Sequence, residues 1–194
     1  MEPPFILASQ SPRRKELLEQ ILNPFKVVVP RVEELENHSD GPAVLVCENA
    51  RIKADAVAKE FPSFWVLGAD TIVALEDEPL GKPKTLNHAR EMLLRLSSRT
   101  HFVHTGICLL RHDEKLEKFT TVTSKVTFKN LTSQIIAQYF EEVNPLDKAG
   151  GYAIQTRPDL IVDSLEGSRT NVIGLPLELL RKWLGEVKIP LSVP

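Results

Sequence analysis

The sequence predicts an α/β fold built on a mixed sheet. Apolar runs of strand length alternate with helical patterns through the first half of the chain. In the middle, His101 to Arg111 and Lys118 to Phe128 are two strand-like runs around a polar turn at Asp113, which reads as an antiparallel pair. The 194 residues are 42% hydrophobic and 26% charged, enough for one domain of generous size or two small lobes.

Phe5 to Ala8 reads as the first strand. Pro12 to Leu22 follows as a helix. Pro12 suits its first turn, where the missing N–H would be unpaired anyway. Ser11 stands at the N-cap, and Leu17, Leu18, Ile21 and Leu22 share one side. Asn23-Pro24 ends this helix, Phe25 to Val29 is a second strand, and the acidic run Arg31 to Asp40 is a loop. Pro42 to Glu60 is a long helix with Ala43, Val46, Cys47, Ala50, Ala54, Val57 and Ala58 on its apolar side. Phe64 to Gly68 is a buried-type strand, continued by Thr71 to Leu75 after a break at Asp70, with a turn at Glu76-Asp77-Glu78. Gly81-Lys82-Pro83 is a loop and Leu86 to Leu96 a helix. Thr132 to Phe140 is another, capped by Thr132 or Ser133. Asn144 to Gly151 is a turn-rich loop, Leu160 to Val162 a short strand, and Asn171 to Leu184 a helical region reached through Gly174 and Pro176. Residues 185–194 carry two prolines and read as a frayed tail to a single domain spanning 1–194.

The net charge of −2 and a pI near 6.2 favour neither wholesale binding to a nucleic acid polymer nor attachment to an anionic membrane. A polyphosphate ligand would need a local cluster of cations. No apolar run approaches the ~20 residues that span a bilayer, and the N-terminus lacks the basic start of a signal peptide. Cys47 and Cys108 lie in apolar surroundings and read as core residues in a reducing compartment, with a bridge between them as the alternative. These features predict a cytoplasmic protein.

Chemistry concentrates at a few places. Ser9-Gln10-Ser11-Pro12-Arg13-Arg14 sits where a strand turns into a helix. Helix N-termini offer free N–H groups to anions, and the guanidiniums of Arg13 and Arg14 fit phosphate oxygens. The plain alternative is a capped helix with two solvated arginines. Asp70, in Gly68-Ala69-Asp70-Thr71 between two apolar runs, is a candidate general base or metal ligand, or the start of an Asx turn. Lys53 and Lys82 can neutralise phosphate, although most lysines are simply solvated. Glu34, with Glu33 as the alternative register, is a candidate metal ligand. In Asp147-Lys148-Ala149-Gly150-Gly151-Tyr152-Ala153-Ile154-Gln155, the glycines permit unusual backbone and the Gln155 amide can match a nucleobase edge. The five histidines show no metal spacing, and His101 and His104 fall on opposite faces of a strand.

Read in order, these blocks resemble one family. Ser9-x-Ser11-Pro12-Arg13-Arg14-x-Glu16-Leu17-Leu18, Lys53-Ala54, Gly68-Ala69-Asp70-Thr71-Ile72-Val73, Gly81-Lys82-Pro83, His104-Thr105-Gly106, Asp147 to Gln155 and Asn171-Val172-x-Gly174-Leu175-Pro176 are similar to the Maf proteins, from about Phe5 to Leu184. The resemblance implies an elongated mixed sheet with flanking helices and a central cleft between two lobes, as in inosine-triphosphate pyrophosphatases. It implies hydrolysis of nucleoside triphosphates to monophosphate and pyrophosphate, a house-cleaning of nucleotide pools, with a divalent cation (Mg, Mn or Co). Arg13, Thr71 and Gln155 resemble the branch acting on dTTP, UTP and modified pyrimidine nucleotides rather than the 7-methyl-GTP branch. By the same resemblance Asp70 is the general base and a metal ligand with Glu34. Lys53 and Lys82 assist catalysis on the phosphates, and Ser9, Ser11, Arg13, Arg14, Thr71 and Gln155 bind substrate. Relatives are often dimers, which makes a homodimer an expected state. Some members suggest instead a nucleotide-binding role in septum formation with little turnover. Gln10 stands where relatives often carry a small residue, and Thr156-Arg157-Pro158 where many carry glycines.

Overall fold

The computed structural model describes residues 4–192. Its strands are β1 (Phe5–Ala8), β2 (Lys26–Val28), β3 (Trp65–Leu75), β4 (Glu78–Leu80), β5 (Thr100–Arg111), β6 (Leu116–Phe128) and β7 (Val162–Glu166). Its helices are α1 (Pro12–Glu19), α2 (Pro42–Glu60), α3 (Leu86–Leu96), α4 (Ser133–Glu142), α5 (Pro158–Ile161), α6 (Arg169–Ile173) and α7 (Leu177–Glu186). The strands form one seven-stranded sheet in the order β2-β1-β3-β5-β6-β7, with β4 beside β3. β1 pairs in parallel with β2 and β3, while every other pairing is antiparallel. The fold is thus the expected α/β architecture on a mixed sheet.

The centre of the molecule is β3. On one side it pairs with β5 from Val66 to Ala74. On the other side β1 covers it only as far as the Ala8–Gly68 pair, and β4 takes over only at the Leu80–Val73 pair. Ala69 to Ile72 therefore present an uncovered stretch of strand edge. Unpaired backbone groups at such a notch are available to a ligand.

The two faces of β3 differ. Ile6, Ala8, Val66, Cys108 and Leu110 pack beneath Ala50, Ala54, Val57 and Ala58 of α2. On the opposite face, Leu67, Ala69, Ile107 and Leu109 meet α1 and α7 through Leu17, Leu18, Leu180 and Leu184. Further along that face, Val73 and Val103 join a third group with Tyr139, Tyr152 and Phe128. α2 lies unusually close to the sheet because two of the residues beneath it are glycines. A Cβ on Gly68 would collide with the carbonyl oxygen of Ala50 and the side chain of Ala54, and one on Gly106 with the carbonyl of Val46.

Some elements differ from the sequence reading. β3 runs unbroken through Asp70, because Asp70 pairs with Gly106 inside the ladder and β5 supplies the hydrogen bonds that a local reading does not see. The turn at Glu76 to Glu78 is tighter than expected and is followed at once by the short strand β4. Residues 158–161 form a helical turn, so the strand there begins at Val162 and not at Leu160. The last helical region divides at Gly174, whose positive φ of 127° ends α6. Helix α4 is capped by the Thr132 hydroxyl, which accepts from the Ile135 N–H. Cys47 and Cys108 are both free thiols. The segment after Gly185 is docked: Ile189 is buried, the Ser192 N–H bonds the Ile21 carbonyl, and the Ser192 hydroxyl accepts from the Asn23 N–H. Residues 193 and 194 of the expected tail lie outside the described residues.

Because backbone atoms stand in the way, Gly106→Ala should push α2 off the sheet and cost about 3 kcal/mol, the upper end of overpacking penalties. Denaturant unfolding checks this, and a midpoint equal to that of the parent would contradict the packing account.

Candidate active site

Where β1 ends, Ser9 and Ser11 organise the first turn of α1. The Ser9 hydroxyl accepts from the Ser11 N–H at 3.1 Å, and the Ser11 hydroxyl caps α1 by accepting from the Arg14 N–H at 3.4 Å. Arg14 is held on three sides. Its Nε donates to the Gly174 carbonyl (2.9 Å), Nη2 to the Thr71 hydroxyl (2.9 Å) and Nη1 to Ser9 Oγ (3.4 Å). Burial draws the Arg14 guanidinium below its ordinary pKa, with the charge of Asp70 acting in the opposite sense. Arg13 points to the mouth of the cleft, where Nη1 meets Asp147 Oδ2 at 3.1 Å. Burial would raise the Asp147 carboxyl, but hydrogen bonds and charge from Lys148 and Arg13 outweigh it and hold the group low.

On the other side of the notch, α2 delivers Asn49 and Lys53, one turn apart, to Asp70. The Lys53 ammonium is almost wholly buried, 2.8 Å from Asp70 Oδ1 and 2.6 Å from Glu34 Oε2. Asn49 Nδ2 reaches Asp70 Oδ2 at 3.3 Å. The same amide clasps the backbone of Leu35, its Oδ1 accepting from the N–H at 2.8 Å and its Nδ2 donating to the carbonyl at 3.0 Å. Glu34 lies on a loop without regular structure, so this clasp fixes its position. Glu33, the alternative register, is exposed and lies outside the cleft.

The third wall is the segment Tyr152 to Gln155, which belongs to no strand or helix. Buried phenols hold it in place of a ladder. Tyr139 Oη donates to the Ala153 carbonyl and accepts from the Ala153 N–H, both at 2.9 Å. Tyr152 Oη pairs with His101 Nε2 at 2.8 Å, and both rings stack edge-to-face on Phe128. Burial pushes the Tyr139 phenol up to about 12 and the His101 imidazole down to about 4. Beyond them the Gln155 side chain is exposed to the cleft. Arg157 adopts a left-handed backbone (φ 46°) and is tied to Asp159 and Glu142.

All ten residues singled out by sequence line one cleft of about 660 Å³: Ser9, Ser11, Arg13, Arg14, Glu34, Lys53, Asp70, Thr71, Lys82 and Gln155. Lys82 is exposed on its loop, which is anchored by the Gly150 N–H to the Gly81 carbonyl at 3.0 Å. Thr71 is engaged with Arg14 and with Thr105 Oγ1 at 3.0 Å. Sequence reasoning missed Asn49, Tyr139 and His101, and it quoted Thr105 and Asn171 within the family blocks without giving either side chain a role. Asn49 did carry a signal, since it is a polar residue four before Lys53 on the apolar side of α2. Among the described residues no three His, Cys, Asp or Glu side chains converge as a metal site, and the carboxylates of Glu34 and Asp70 share the Lys53 ammonium. No described helix is long and apolar enough to cross a membrane.

Solved structures share this architecture. The Ham1 protein of Staphylococcus aureus superposes with a TM-score of 0.57, covering 95% of this chain and 99% of its own, at 18% identity. A HAM1 protein from Coxiella burnetii gives 0.54, with 94% and 98% covered, also at 18% identity. Fold and cleft thus define an α/β protein of the Ham1 architecture. Within that class, residues 4–187 match the family described as Maf-like protein, and the chain belongs to this Maf family. Curated relatives called dTTP/UTP pyrophosphatase are similar over nearly their whole length. That of Akkermansia muciniphila is 47% identical over 95% of this chain and 96% of its own. That of Symbiobacterium thermophilum is 46% identical (96% and 95%), and that of Myxococcus xanthus 44% (96% and 93%).

His101 makes folding pH-dependent. Its ordinary value is 6.5 and its folded value about 4, so below about pH 6.5 the unfolded chain takes up a proton that the folded protein refuses. Stability is full above that pH and is lost as the pH falls towards 4, by up to about 3 kcal/mol from this residue. His101→Gln should flatten that part of a stability-against-pH curve. Equal slopes for parent and variant would contradict the assignment.

Proposed function

We propose that this chain hydrolyses nucleoside triphosphates between the α- and β-phosphates, releasing the monophosphate and pyrophosphate, with dTTP and UTP as its substrates. The observation that carries the reading is the Glu34–Lys53–Asp70 centre facing the Ser9–Arg14 turn across the uncovered edge of β3. The names of the Maf relatives support the same substrates. The free thiols accord with a reducing, cytoplasmic setting.

The chemistry follows from that layout. The turn at Ser9 to Arg14 and the exposed charge of Lys82 receive the β- and γ-phosphates. The α-phosphate lies over Lys53 and Asp70. Asp70 takes a proton from a water molecule as its oxygen attacks the α-phosphorus. The bond from that phosphorus to the bridging oxygen breaks, and pyrophosphate leaves into the cationic turn. Lys53 and Arg14 offset negative charge as it moves towards the leaving group. Gln155 meets the base: a uracil or thymine edge offers an N–H between two carbonyls, which an amide can pair.

The charge balance of the cleft argues for a cation. Arg13, Arg14, Lys53, Lys82 and Lys148 line it against Glu34, Glu36, Asp70 and Asp147. A triphosphate adds about four negative charges at neutral pH, more than this small basic excess offsets. Glu34 and Asp70 suit a hard divalent ion that takes its other ligands from phosphate and water. When bound, such an ion would supply charge neutralisation and orientation of the phosphates.

The test is pyrophosphate release from a panel of nucleoside triphosphates with and without magnesium, manganese or cobalt. Metal-dependent release from dTTP and UTP is expected. Preference for 7-methyl-GTP would overturn the base assignment, and binding without release would favour a regulatory role. Asp70→Asn should lower kcat about 10²–10⁴-fold, the usual worth of a general base, while nucleotide binding persists by calorimetry. Undiminished turnover would remove Asp70 from this role.

A further inference from the structure

Between β3, β5 and α6 runs a chain of hydroxyls, the half-buried Thr71 and the fully buried Thr105, to which the reaction steps give no role. Thr105 Oγ1 lies 2.9 Å from the Asn171 carbonyl oxygen. A carbonyl can only accept, so the Thr105 proton points there. The contact between Thr71 Oγ1 and Thr105 Oγ1, at 3.0 Å, must then use the Thr71 proton. Thr71 in turn accepts from Arg14 Nη2 at 2.9 Å. The direction of every bond is fixed, with a guanidinium that only donates at one end and a carbonyl that only accepts at the other.

The carbonyl end is itself anchored. Asn171 is fully buried, and its Nδ2 donates to the Val103 carbonyl and to Ser124 Oγ, both at 3.0 Å. The N–H of Asn171 bonds the Ser168 hydroxyl at 3.0 Å. Three residues on, the Gly174 carbonyl takes Arg14 Nε directly at 2.9 Å. One short element, α6 with its C-terminal glycine, therefore fixes the guanidinium twice: once by direct contact and once through two threonines. Arginine has five N–H donors. Gly174, Thr71 and Ser9 take three of them, which leaves two, and the Arg14 side chain lines the cleft.

We propose that Thr105, through Thr71, is a positioning residue that aligns the free donors of Arg14 for a phosphate group, with Asn171 as the fixed end of the relay. Thr71 acts as a link in this relay, because its single proton is committed inward and none is left to donate to a ligand. The inference rests on the reading of Arg14 as a phosphate ligand.

The experiment compares Thr105→Val, which keeps shape and loses the hydroxyl, with Thr105→Ser, which keeps the hydroxyl. Each is made in the parent and in Arg14→Lys, with Thr71→Val and Thr71→Ser as a second pair should the Thr105→Val variant not fold. Binding of inorganic pyrophosphate is measured by calorimetry, alongside kcat and KM for UTP. In the parent, either valine variant should weaken pyrophosphate about tenfold or more, the scale of one hydrogen bond to a charged group. The serine variants should stay within about threefold, and in the Arg14→Lys background valine should add less than about twofold. An equal loss in both backgrounds, or serine as damaging as valine, would mean a merely structural role and overturn the proposal. If Arg14→Lys weakens pyrophosphate but valine in the parent does not, the relay alone falls. If Arg14→Lys itself leaves pyrophosphate binding unchanged, the phosphate role of Arg14 falls and takes the relay with it.

Discussion

The close seating of α2 on Gly68 and Gly106 is the constraint on which the rest of the site depends. Two missing Cβ atoms let helix backbone touch sheet backbone, and the small residues Ala50 and Ala54 keep the gap closed. From that height the side chains of Asn49 and Lys53 reach Asp70 within hydrogen-bond distance. A helix at the usual spacing would leave the half-buried Asp70 carboxylate without its Lys53 and Asn49 partners. The same seating holds the Glu34 loop, since Asn49 grips Leu35 from the helix.

A second constraint is the interruption of pairing along one edge of β3. β1 stops early because the chain must turn into α1, and β4, returning antiparallel from the tight turn, ends at Leu80 opposite Val73. The uncovered stretch has the Ser9–Arg14 turn at one end and the acid–lysine centre beside it. Several cations there already have a protein partner: Arg13 has Asp147, and Lys53 has two carboxylates. A phosphate that displaced such a partner would exchange one ion pair for another and would not capture a bare charge.

Much of this was legible in the sequence, for identifiable reasons. Ser11 and Pro12 announce a helix start by local geometry, and α2 announces itself by small apolar residues at helical spacing. The antiparallel β5–β6 pair shows in its alternation and turn. The cleft residues were legible as a set chiefly because their blocks, in order, resemble one family; singly, Lys53 or Lys82 looks like any surface lysine. What stayed hidden is what tertiary pairing decides. Asp70 looks like a strand break until Gly106 is seen opposite it. Thr105 and Asn171 are ordinary strand and helix residues whose hydroxyl and carbonyl matter only once β5 and α6 meet. Tyr139 and His101 read as core, and they are core, yet their polar atoms hold the wall that carries Gln155. The docked residues near Ile189 were hidden because prolines describe local backbone and say nothing about an apolar residue finding a distant pocket.

The measurement that tests the account most directly is a crystal structure with a dUTP analogue whose α–β bridge is an imido group and resists hydrolysis. The account predicts the triphosphate along the uncovered edge of β3, its outer phosphates on the Ser9–Arg14 turn, its α-phosphate beside Lys53 and Asp70, and the base against Gln155. A nucleotide seated elsewhere, or with its base on the Ser9–Arg14 turn, would contradict it.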